Sequence, residues 1–293
     1  MVLVRKYRAW CRLLLAVLAL GSGLVVEEAF AKGRPARGAN DSNQSVQQLL
    51  SDNRTDDVDA ATRIFRLGNG AVPILVGALQ KRTNVERASL ALLYLAGPEE
   101  RKQVRQFVRT EKDPEKKWVI ARFLAGALVE PASADEWAFL ESCVKGYKDE
   151  AQGFTSFSAV LALGTNASPK ALQVLQSVGP SVQESESKNE TLEEVGRAIR
   201  WINDRSSSKA PTSVDKGSDS DQIKRTILEE AFFAATESRN LSFEEITFTE
   251  DRTRALVSMD VRGSNKDPHG YQIVLQKDSG VWKITGVWFS WAA

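Results

Sequence analysis

Apolar residues along the chain follow three patterns, and each predicts a different element. Near the start, Leu13 to Val26 is an apolar run of 14 residues, short of the roughly 20 needed to span a bilayer. From Ser45 to about residue 204 the apolar positions recur every three or four residues, the spacing of helices with one buried stripe. Beyond residue 220 the period changes. Ile223, Ile227, Leu228, Ala231, Phe232 and Ala234 make a last helical stripe, with Asp219 or Ser220 placed to cap it. Alternation then takes over: Ala255, Val257, Met259 and Val261 share one side of a strand, and Arg254, Ser258, Asp260 and Arg262 the other. This reads as a half-buried antiparallel strand. Phe243–Thr249 reads as the strand before it, Tyr271–Lys277 as the one after and Val281–Trp291 as the last, with a hairpin turn at Asp278-Ser279-Gly280.

Two polar stretches divide these patterns. Lys32 to Asn43 has few side chains to bury and reads as a flexible lead-in; Arg205 to Ser220 has the Ser, Pro, Gly and Lys content of a linker. The expected organisation is a leader over 1–31, the lead-in over 32–43, helices over 44–204, the linker over 205–220 and an α+β domain over 221–293. The leader has Arg5, Lys6, Arg8 and Arg12 ahead of the apolar block and Ala29-Phe30-Ala31 after it, the three parts of a cleavable signal peptide. An uncleaved anchor is the competing reading, opposed by Glu27 and Glu28, which cut the block short. Export to a periplasm or the outside is the expectation, with no membrane span left after cleavage.

Three helical segments end alike, at Leu95-Ala96-Gly97, Leu124-Ala125-Gly126 and Ala162-Leu163-Gly164. Ahead of the first lie Gly70 to Leu79, with Pro73 near its start, and then the small-residue-rich Val85 to Leu93. This arrangement resembles the HEAT repeat, a helix pair that stacks on its neighbours into a solenoid because one pair cannot bury its own apolar face. The small residues would let adjacent pairs approach closely. The spacing of the three ends is irregular, so an irregular all-α bundle stands as the alternative. A fourth unit is expected over Pro169–Trp201, interrupted at Gly179–Asn189 and closed by a helix over Thr191–Ile202.

The C-terminal pattern of one helix, four strands and the ending Tyr271 to Trp288 resembles the cystatin-like roll of nuclear-transport-factor-like domains. The fold class expected is therefore multidomain: an all-α HEAT-like solenoid followed by an α+β roll of one helix on a four-stranded antiparallel sheet. The resemblance implies a cone-shaped space that can host a pocket.

Chemistry-bearing residues are few. Export would leave Cys143 as the sole thiol, because Cys11 lies in the leader. Cys143 sits in an apolar helical pattern and reads as core. The single histidine, His269, lies in a turn-like Asp267-Pro268-His269-Gly270, and one His with one Cys cannot build the usual zinc sets. No catalytic residue, metal site or cofactor is expected. Loss of the leader removes four of 39 basic and two of 38 acidic residues, moving the formal charge from +1 to −1, a balance unlike that of nucleic-acid binders.

Two features remain as binding candidates. Arg101, Arg105 and Arg109 fall at i, i+4, i+8 on one helix face opposite Val104, Phe107 and Val108; an acidic protein or lipid could dock there, although nearby acids favour an ordinary solvated face. In the roll, Trp282 and Trp288 fall on one face of the last strand and Phe289 and Trp291 on the other. One set would be core, and the second would be covered by the helical region, another chain or a ligand. Tyr271, Trp282, Trp288 and Trp291 are the candidates there. The expected function is an exported, non-enzymatic binding or scaffold protein that meets another envelope or secreted protein through its repeats. The alternative is a small-molecule binder or enzyme using a pocket in the roll.

Overall fold

The computed structural model describes residues 39–145, 150–178, 188–207, 217–237, 241–261 and 269–292. The leader, most of the lead-in and the middle of the expected linker lie outside these residues. Ten helices come first: α1 (Ala39–Ser51), α2 (Asp57–Arg66), α3 (Val72–Gln80), α4 (Val85–Leu95), α5 (Pro98–Thr110), α6 (Pro114–Gly126), α7 (Ala134–Lys145), α8 (Glu150–Asn166), α9 (Pro169–Val178) and α10 (Lys188–Ser207). A 3-10 turn over Gly68–Ala71 joins α2 to α3. Then follow α11 (Asp219–Glu230), α12 (Phe232–Glu237) and the strands β1 (Leu241–Phe248), β2 (Arg254–Val261), β3 (His269–Asp278) and β4 (Val281–Ala292).

Local chemistry sets where the helices start. Asp56 caps α2 by accepting from the Asp59 amide at 2.8 Å, and Asp113 caps α6 with Pro114 in the first turn. At α5, Pro98 opens the helix while Glu100 reaches back to the Gly97 amide at 2.9 Å. The helices form two rows. Along one, α2 packs on α4, α4 on α6, α6 on α8 and α8 on α10; along the other lie α3, α5, α7 and α9, each packed on the helix that follows it. In α4, Val85 and every residue from Arg87 to Leu95 are buried, because helices flank it on two sides and the sheet closes a third.

Arg87 is the buried charge inside that helix. Its Nε donates to Asp57 at 2.8 Å, and its two terminal nitrogens donate to the carbonyls of Leu49 (2.8 Å), Asp52 (2.9 Å) and Thr55 (2.7 Å). One guanidinium thus satisfies the open carbonyls at the end of α1 and in the turn after it, which a planar five-donor group can do and an ammonium cannot.

The strands form one antiparallel sheet in the order β1-β2-β3-β4. Ser279 (φ 50°) and Gly280 (φ 86°) both take left-handed backbone in the β3–β4 turn, the geometry that a two-residue hairpin favours. One face of the sheet carries Ala255, Val257, Met259, Tyr271, Ile273 and Leu275 and is covered by α11 and α12, with Tyr271 stacked on Phe233 at 4.2 Å. The other face rests on the α2–α8 row: β1 meets α2, Gln272 accepts from Tyr94 of α4, and β4 runs against α6 and α8. Both faces are therefore covered, so the polar side of β2 is not a solvent face; Leu256 there is buried. A single apolar cluster runs without a break from Val46 in α1 to Trp288 in β4.

The glycines at the repeated segment ends have a different role from the one their spacing suggests. A Cβ on Gly126 would lie 2.4 Å from the Val287 carbonyl and 2.6 Å from the Trp288 ring, and one on Gly164 would lie 2.6 Å from the Phe232 ring. Both admit the C-terminal part of the chain, not a neighbouring helix pair. Gly97 instead caps α5. Three further expectations are corrected. Ser218 caps α11, accepting from the Asp221 amide at 3.2 Å, in place of Asp219 or Ser220. The stripe predicted as one helix breaks at Ala231, whose backbone is extended, which leaves Leu228 on the exposed side. The helix expected over Thr191–Ile202 starts at Lys188 and runs to Ser207, into the segment read as linker.

Three stability outcomes follow from this packing. Arg87→Ala strands three partly buried carbonyls and the Asp57 carboxylate and is expected to cost about 3 kcal/mol, with Arg87→Lys recovering only part, read as the urea midpoint at constant slope. Gly126→Ala is expected to cost roughly 1–3 kcal/mol by forcing β4 away from α6. Gly77→Ala in α3, where a Cβ meets nothing within 4 Å, should instead gain about 0.5–1 kcal/mol. Equal effects at the two glycines would contradict the close-approach account.

Candidate functional site

Of the predicted binding residues, the arginine row lies where its spacing puts it, on one side of α5, but that side is not solvated. Arg101 and Arg105 are buried against the start of α7. Glu136, itself only 2 % exposed, lies 3.3 Å from Arg101 and 3.9 Å from Arg105 and accepts from the Ala132 amide at 2.6 Å. Asp135 lies 3.8 Å from Arg105 and 4.0 Å from Arg109. These groups fasten α5 to the α6–α7 turn. Only Arg109 keeps most of its side chain in solvent.

The aromatic candidates are likewise drawn inward, and a bulge separates two that alternation had put together. Leu275 pairs with Ile284 and Val274 with Gly286, which leaves Thr285 as an extra residue and reverses the facing of the residues after it as far as Phe289, where a second shift follows. Trp282 therefore lies on the α11 side, where its indole N–H donates to Asp219 at 3.2 Å. Trp288 lies on the opposite side, donating to the Phe123 carbonyl at 2.7 Å with its ring 5.2 Å from that of Tyr94. Phe289 rejoins the Trp282 face, edge-on to Tyr271 at 5.7 Å and to Phe157 of α8 at 5.4 Å. Trp291 pairs with Gly270, and its side chain lies outside those described. Rings of Phe233, Tyr271, Phe289, Trp282 and Phe248 thus fill the space where the roll resemblance implies a cone.

Among the described residues no three His, Cys, Asp or Glu side chains come together as metal ligands. Cys143 is buried in α7 with the apolar core. His269 opens β3 opposite Val261, in a strand and not in the turn its neighbours suggest; its side chain lies outside those described. The Tyr94 hydroxyl is fully enclosed, and burial pushes its ionisation far above the usual phenol range, so it serves as a donor to Gln272.

What the surface does offer is a shallow groove on the second row, between α7 and α9, of about 310 Å³. Ser133 starts α7 by accepting from the Glu136 amide at 3.3 Å, and Ser168 starts α9 by accepting from the Ala171 amide at 3.2 Å. Burial of Leu140, Cys143 and Val144 on one helix and of Ala171, Leu175 and Val178 on the other turns the adjoining stripes to the groove. Ala134, Trp137, Ala138 and Glu141 line one wall; Lys170, Gln173, Val174 and Ser177 line the other. The Lys170 ammonium sits 4.7 Å from the Trp137 ring centre, a cation–π contact. The groove presents an aromatic face, one cation and one carboxylate, which suits recognition of a side chain. Sequence reasoning passed over it, although both walls repeat the spacing i, i+3, i+4, i+7.

No protein-family model, no curated protein and no solved structure matches this chain.

Asp219, in the first turn of α11, ties that helix to the sheet: it accepts from Lys277 at 2.6 Å as well as from Trp282. The Lys277 hydrogen bond, aided by Trp282 and by the charges of Lys277 and Arg252, holds its carboxyl below the ordinary aspartate value. A depressed folded-state value adds stability above the unfolded value, and that contribution is lost as pH falls through the folded one. Asp219→Asn is expected to lower stability near neutral pH by about 1 kcal/mol. Its deficit against the parent should shrink as the pH is lowered into the acid range, followed by urea unfolding across pH; a deficit independent of pH would refute the ionic tie.

Proposed function

We propose that this chain is an exported, non-enzymatic binding or scaffold protein, built as a HEAT-like solenoid with a cystatin-like C-terminal roll, that engages another envelope or secreted protein. The observation that carries the reading is the division of labour between the two helix rows. The α2–α8 row is covered by the chain's own sheet, while the α3–α9 row keeps its outer side and the Trp137–Lys170 groove in solvent. On this reading the roll completes the core of the repeats and recognition falls to the second row.

Support also comes from the balance of charge, which lacks the positive excess of a nucleic-acid binder. Export rests on the basic flank, apolar block and Ala29-Phe30-Ala31 of the leader. Among the described residues no helix is long and apolar enough to cross a membrane. Apart from the groove, Leu228 and Val281 are the large apolar side chains most exposed among those residues, each standing singly on its element. A modest, partly polar interface is therefore expected in place of a broad apolar one.

The test is mild affinity purification of the tagged protein from its host envelope, followed by native mass spectrometry. A stoichiometric protein partner is expected, and Ala138→Arg with Ser177→Arg, both at exposed groove positions, should weaken its retention at least tenfold. Leu228→Arg on α11 should leave it unchanged. Retention unaffected by the groove pair would overturn the assignment of the surface, and a retained small molecule without a protein would overturn the scaffold reading.

A further inference from the structure

We draw no further inference here: the strongest candidate, the acidic cluster that Asp57, Glu86, Asp113 and Glu115 form where α2, α4 and α6 begin, has no second feature beside it that points to a ligand.

Discussion

The structure depends on how closely β4 comes to α6. Trp288 lies over the end of that helix with its indole N–H on the Phe123 carbonyl, and this approach is open only because residue 126 has no side chain. Gly286, two residues before Trp288 on the same strand, clears the ring in the same way: a Cβ there would lie 2.2 Å from it. Around this seat the other contacts fall into place, with Tyr94 reaching Gln272, Arg122 reaching the Phe289 carbonyl and Phe232 resting against Gly164. Interiors are packed at crystal-like density, so a gap of even one methyl at such a seat would be felt in every neighbour.

Polar groups inside this core are restrained by the same closeness. Arg87, Arg101 and Arg105 are buried cations, and each has a carboxylate or carbonyls within reach. Taking a guanidinium out of water is costly unless its donors are met, so such residues fix which turn packs where more than they add stability. Arg87 sets the α1–α2 corner and Arg101 sets the α6–α7 corner. The two corners lie at different points of the helix rows and are held by the same device.

Much of the fold was legible in the residues because it is written in local periods. The α3–α4 pair, the core placement of Cys143, the four strands and the Ser279-Gly280 turn all follow from spacing and turn chemistry that act within a few residues. What was not legible is which surfaces meet. The arginine row gave a correct helix face, yet whether that face is wet depends on Glu136, which is 35 residues from Arg101. Alternation put Trp282 and Trp288 together because a single extra residue at Thr285 leaves no mark in composition. Of the repeat-end glycines, Gly126 and Gly164 are places of close approach, but the approaching partner comes from the far end of the sequence. The groove between α7 and α9 was missed for the opposite reason: its walls are ordinary helix surface until the two helices are set side by side.

The bond from Tyr94 to Gln272 joins residues 178 positions apart, and it has a consequence in time. The central helix α4 cannot be fully enclosed until β3 and β4 have been made, so the first half of the helical rows must wait with an apolar face open. Contacts of such long range slow folding, and the loop-closing entropy is spent before the contacts return it. In a chain arranged in this way the enclosure of α4 is a late step, set by the arrival of strands from the far end of the sequence.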